Sequence, residues 1–159
     1  MSTNDILTAI QNNSFARAIT KSNHLVIAAL QIVHVVGLVL LLASLVLMSL
    51  RLLGLVLTEQ PAVRVTRELA ILLRSGLALT VISGCLMFLT GPRHYFYNSA
   101  FELKMGLLLA AVTVQFTLFR RIVAINPRHP LVAKLAVVLS LLLWFGVSIA
   151  GRAIGFVRG

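Results

Sequence analysis

One histidine stands where hydrocarbon is expected. His34 is flanked by Val33, Val35 and Val36, inside a run from Leu25 to Leu50 that holds no Lys, Arg, Asp or Glu. It follows His24 by ten residues, about 15 Å along a helix, which is well inside an apolar layer. An ionisable side chain at the centre of a span costs about 2.5–3.5 kcal/mol on the insertion scale, so such residues mark function or a specific partner. Gln31 and Gly37 lie three residues to either side, and this spacing is expected to put all three on one face. A glycine beside a histidine permits close approach by another helix or by a flat ligand. The plain alternative is an interhelical hydrogen bond from His34 to a Ser, Thr or Gln.

A second group of residues gathers at the same end of the chain's apolar segments. Glu102 and Lys104 open another such run, and Lys104 either snorkels to the headgroups or faces inward. Its helical neighbours Leu108, Ala111 and Gln115 include small and polar members, which favours the inward direction and an approach to His34. The connection from Gly91 to Asn98 brings Arg93, His94, Tyr95 and Tyr97 to this rim, and Arg152 reaches it from the last run. Tyr95 and Tyr97 also fit an ordinary interfacial belt.

A lone deep imidazole among cations, with few acids, suits a flat anionic cofactor. Haem iron takes a histidine axial ligand, and propionates pair with Arg or Lys. His34 is thus the candidate metal ligand. Lys104 is a second ligand or propionate partner, with Arg93, His94 and Arg152 as further cofactor contacts. Two bis-histidine haems need four histidines at matched depth; His24, His94 and His129 belong to interfaces or loops, so a single b-type haem is the most the sequence supports. There is no Walker loop, GxGxxG, HExxH or CxxCH. The only acids are Asp5, Glu59, Glu68 and Glu102, too few and too scattered for a hydrolase; a transporter stays open, although the spans lack paired acids for proton coupling. Whether the chain is an enzyme stays open.

The elements that hold these groups follow from composition. Of 159 residues, 59% are apolar and 11% charged, with a mean hydropathy of +1.00. Soluble domains carry roughly 25% charged residues, so a water-soluble globule is excluded. The net charge of +10 does not imply nucleic acid, because the polar surface such binding needs is missing; basic residues between apolar runs are the mark of membrane topology. The single Cys85 excludes an intrachain disulfide.

A bilayer core of ~30 Å needs about 20 helical residues. Spans are predicted at about 25–50, 69–90, 101–119 and 131–154, with Pro61, Gly91-Pro92, Pro127 and Pro130 between them. The chain divides into an N-terminal interfacial segment, 1–23, and a four-helix transmembrane domain, 24–159. In the former, Ile6, Leu7, Ile10, Phe15, Ala18 and Ile19 recur at roughly helical spacing, as in an amphipathic helix lying in the interface. Small residues predict packing seams at Gly76, Thr80, Ser83 and Gly84 in the second span and at Gly106, Ala110, Thr113 and Thr117 in the third. The side opposite the termini carries Arg51, Arg64, Arg67, Arg74, Arg120, Arg121, Arg128 and Lys134, against Arg17, Lys21, Arg93, Lys104, Arg152 and Arg158. By the positive-inside rule both termini lie outside, in the periplasm of a bacterium.

With these residues in view, the chain resembles a family of small bacterial four-helix membrane proteins of unknown function. The stretches that carry the likeness are Ser14–Ser22, Gln31–Gly37, Leu45–Gly54 and Tyr95–Lys104. More distantly, a histidine in the first span and a lysine opening the third is similar to the CopD-like copper-resistance proteins and the HemJ-type protoporphyrinogen oxidases. The latter resemblance implies haem b and a role for His34 and Lys104.

The expectation is therefore an all-α, polytopic membrane protein of the bacterial inner membrane, a four-transmembrane-helix bundle with an N-terminal interfacial amphipathic helix. Its function is either redox or electron transfer through one b-type haem near the outer face, or that of a non-catalytic membrane subunit or scaffold. Copper or small-solute handling is the third reading. The lipid bilayer is the expected partner, with a membrane-protein partner or a second copy beside it.

Overall fold

The computed structural model describes residues 2–21, 24–124 and 130–156. Arg128 and Arg158, from the balance of basic residues, and His129 lie outside the described residues, as do the side chains of His24, Arg120 and Arg121. All regular structure among the described residues is helical, in seven segments. They are α1 (Thr3–Asn12), α2 (Ser14–Lys21), α3 (His24–Leu52), α4 (Ala62–Thr90), α5 (Pro92–Phe96), α6 (Ser99–Ala124) and α7 (Pro130–Ala153). Four stretches are long and apolar enough to cross a membrane: Leu25–Leu52, Val63–Thr90, Ser99–Thr117 and Lys134–Ala153. The protein is an all-α, multi-pass membrane bundle.

The N-terminal segment is two short helices rather than one. Ser2 starts α1 with a reciprocal cap: the Ser2 amide donates to Asp5 Oδ2 at 2.8 Å and the Asp5 amide donates to Ser2 Oγ at 3.3 Å. Asn13 then adopts an extended conformation and ends the helix. Leu7 of α1 and Ala16 of α2 are buried, since α1 rests on α5 and α4 while α2 lies against α4. Two hydrogen bonds fasten α1 to α5, from Arg93 Nη2 to Thr8 Oγ1 at 3.1 Å and from Tyr97 Oη to Asn4 Oδ1 at 2.7 Å. The Ser2 backbone and hydroxyl hold the Asp5 carboxyl below its usual range. A depressed folded-state value means that this cap contributes fully above about pH 4 and is lost as pH falls through the lowered value. Amides of α1 should therefore lose hydrogen-exchange protection at pH 3, and Ser2→Ala should give the same loss at neutral pH.

Hydropathy locates oil, not backbone, so α4 starts at Ala62, seven residues before its apolar run. Its first turns carry the surface pair Arg64 Nε to Glu68 Oε1 at 3.0 Å, which is at home in a helix that has not yet reached hydrocarbon. At 29 residues, α3 and α4 are each about 44 Å long, beyond the ~30 Å of a bilayer core. The connection after Gly91 is not loop throughout, because Pro92 at the first position sets φ for the short helix α5.

The bundle is made of two antiparallel hairpins. α3 packs along α4, α6 packs along α7, and contact between α3 and α7 joins the pairs. In the first hairpin the backbones themselves meet: a Cβ on Gly76 would stand 2.6 Å from the Leu41 amide nitrogen and 2.7 Å from the Gly37 carbonyl oxygen. The predicted seam of the second span is thus real and faces α3. That of the third span is turned the other way. Gly106, Thr113 and Thr117 are exposed, and nothing lies within 4 Å of a Cβ placed on Gly106. The packed face of α6 carries Ala111 and Gln115 instead, and Ser140 Oγ of α7 donates to Gln115 Oε1 at 2.9 Å.

Between the hairpins, Leu41, Leu45, Met48, Leu73, Ala111, Trp144 and Val147 form the core. Ser49 is fully buried, and among the described residues its hydroxyl has no hydrogen-bond partner. A buried polar group without a partner carries its desolvation cost uncompensated. Ser49→Ala is therefore expected to leave the melting temperature in detergent unchanged or raise it; a marked fall would reveal a partner for the hydroxyl.

Candidate functional site

His34 lies in α3 toward the end of the bundle that carries α1, α2 and α5, where α3 packs against α4. The ring faces α4, not lipid. Its Nδ1 lies 2.9 Å from Ser83 Oγ, and a Cβ on Gly84 would approach its Cε1 to 3.2 Å. Ser83 directs its one proton to the Leu79 carbonyl at 2.6 Å. With the hydroxyl so directed, its oxygen is an acceptor for Nδ1–H; turned to the ring, it donates to Nδ1 instead. Metal-binding histidines are held in the first way, one nitrogen donating to a fixed acceptor and the other left for the metal.

Lys104 enters from α6. Its side chain lies half-buried against Gly151 of α7, where a Cβ would stand 3.5 Å from Cε and 3.6 Å from Nζ. The inward stripe expected for Lys104, Leu108, Ala111 and Gln115 is present, with Ala111 and Gln115 buried. Glycine at 84 and at 151 makes the room on either side: one admits the imidazole, the other the lysine stem.

The other three candidates do not join this pair. Arg93 is exposed and donates to Thr8. His94 is exposed and sets its ring edge-on to Tyr95, centroids 5.6 Å apart. Arg152 is exposed and lies over the Phe156 ring at 5.7 Å. The two tyrosines part as well. Tyr97 reaches outward to Asn4, while Tyr95 turns inward to Phe88 and Phe101. These last two stack at 5.6 Å, so three aromatic rings fill the space between the end of α4 and the start of α6. Burial pushes the Tyr95 phenol above its ordinary range.

Gln31 does not share the packed face with His34 and Gly37. It is exposed and borders a shallow hollow on the outer side of α3 with Ala28, Ile32, Val35 and Val36. Each step of three residues turns a helix by about 300°, so Gln31 and Gly37 stand about 120° apart even though each is adjacent to His34. Ser83 is the residue whose role the sequence did not disclose, having been read only as part of a seam. The available signal was depth. Counting inward from the paired ends of α3 and α4, His34 and Ser83 sit at similar levels in an antiparallel hairpin.

Of the candidate residues, His34 could hold a haem iron, and Lys104 is the candidate second ligand or propionate partner. One anchored imidazole and one ammonium are present, with no carboxylate between them. Among the described residues no group of three or more His, Cys, Asp or Glu side chains converges, so a copper site built from several such donors has no counterpart there.

The sequence family described as "Family of unknown function (DUF6644)" matches residues 9–157. The chain belongs to the DUF6644 family. No curated protein and no solved structure matches it, so the likeness to the CopD-like and HemJ-type proteins rests on His34 and Lys104 alone. Membership agrees with the resemblance to an uncharacterised family of small membrane proteins and assigns no activity.

Proposed function

We propose that this integral membrane protein binds one b-type haem between its two hairpins, near the end that bears its termini, and serves in electron transfer. The observation that carries this reading is the His34 ring, turned into the first hairpin with Nδ1 2.9 Å from Ser83 Oγ. When bound there, haem iron supplies a one-electron couple. His34 would hold the iron, and Ser83 would accept from its Nδ1–H. Lys104 offers its charge to a propionate or its amine as a second ligand. Phe88, Tyr95 and Phe101 exclude water from that end of the bundle. Arg93, His94 and Arg152 would need to leave their present contacts to take part. The same proposal places the protein in a bacterial inner membrane with both termini outward, following the excess of Lys and Arg on the other side.

The test is the visible spectrum of protein purified from haem-replete cells. A Soret band with haem near one per chain supports the proposal, and its absence removes it.

A second reading, a non-catalytic subunit or scaffold, is favoured by the outward stripe of Gly106, Thr113 and Thr117 on α6. Small residues on an exposed helix face allow another membrane helix to pack closely. Native mass spectrometry decides it. A stable particle larger than one chain supports this reading, and a single chain with detergent speaks against it.

A further inference from the structure

The arginines at the far end of α4 form a surface whose charges the protein itself does not answer. Arg67 and Arg74 are seven residues apart, two helical turns, and so stand on one face about 10 Å apart along the axis. Both are exposed. Arg74 falls inside the apolar stretch Val63–Thr90, where exposure means exposure to lipid. Ile71 lies between them, and Ala78, Ile82 and Cys85 continue the same face, all exposed. Helical side chains lean toward the N-terminus of their helix, so Arg74 inclines back toward Arg67 and the headgroup layer. The nearest acid, Glu68, is held by Arg64 at 3.0 Å, and among the described residues neither Arg67 nor Arg74 has a protein partner. A guanidinium facing acyl chains requires a counter-charge, and in that setting the available anions are lipid phosphates.

We infer that Arg67 and Arg74 bind the phosphate of an anionic phospholipid, with an acyl chain lying along Ile71, Ala78 and Ile82. Arg67 meets the phosphate from the headgroup side and Arg74 from below, each able to bind it through two N–H donors. This site is at the opposite end of the bundle from His34 and stands or falls without regard to haem.

The experiment is lipid titration of the purified full chain in detergent, read by native mass spectrometry, with phosphatidylglycerol, phosphatidylcholine and inorganic phosphate as separate probes. Phosphatidylglycerol should bind in preference to phosphatidylcholine. Arg67→Gln combined with Arg74→Gln should weaken it by about 25-fold, roughly fivefold for each basic residue at a charged surface. Arg67→Lys with Arg74→Lys keeps the charge and should recover part of that loss. Both positions are exposed, so an unchanged elution volume and helical spectrum will show that the variants fold. Three results would overturn the inference: equal binding of phosphatidylglycerol by the Gln variant, equal binding of the two lipids by the native chain, or displacement of the lipid by millimolar inorganic phosphate.

Discussion

His34→Ala is expected to abolish the Soret absorbance of haem-loaded protein while leaving the bundle folded. The side chain is half-buried and hydrogen-bonded to the Ser83 hydroxyl, and without it Ser83 Oγ still has the Leu79 and Thr80 carbonyls to donate to. Little else in the hairpin depends on the ring. Ser83→Ala should give a graded result. The imidazole stays but loses the acceptor that fixes Nδ1–H, and such outer partners are typically worth 10–100-fold in metal affinity. Haem titration of the two variants separates the roles: His34→Ala binds none with a ligated spectrum, Ser83→Ala binds weakly with the native one. An unchanged spectrum in His34→Ala would refute the ligand assignment, whatever the fate of Ser83.

Gly76→Leu should have the largest structural effect of any single change. The contacts a Cβ would make there are to the Leu41 amide and the Gly37 carbonyl at 2.6 and 2.7 Å, and neither can yield without moving α3. Over-packing of a rigid core typically costs 1–3 kcal/mol, and backbone has no rotamer through which to escape, so the upper end of that range or beyond is expected. The hairpin would part, and the protein should lose its cooperative melt and its monodisperse elution. Gly106→Ala is the matching control. Nothing lies within 4 Å of the added methyl, and alanine is favoured over glycine in a helix interior by about 1 kcal/mol. It should melt at or above the native temperature. If the two variants behave alike, the packing of α3 on α4 is not as described.

These two glycines also show how far the sequence could be read. Hydropathy located four spans because oil demands long apolar helices, and it singled out His34 and Lys104 because charge in oil is rare enough to stand out. It could not distinguish the seam at Gly76 from the stripe at Gly106, since small residues at helical spacing look alike whether they face a helix or lipid. The helix α4 begins at Ala62, ahead of the apolar run, because the polar Arg64 and Glu68 do not stop a helix that leaves the membrane. α5 was hidden because Gly91-Pro92 signals a break and says nothing about the turn that follows. Ser83 became a partner of His34 only once the antiparallel register was known, and the outward turn of Arg93 depends on Thr8, 85 residues away.

The division of the site between hairpins bears on how the protein is made. His34, Ser83 and Gly84 all belong to the first hairpin, Lys104 and Gly151 to the second. A nascent chain that has delivered α4 into the bilayer already owns the finished imidazole half, locked by glycine against glycine, while the lysine half is still to be synthesised. Whatever settles on that histidine can do so before the second pair of helices arrives, and it would then be enclosed as they dock, with no need for the completed protein to open.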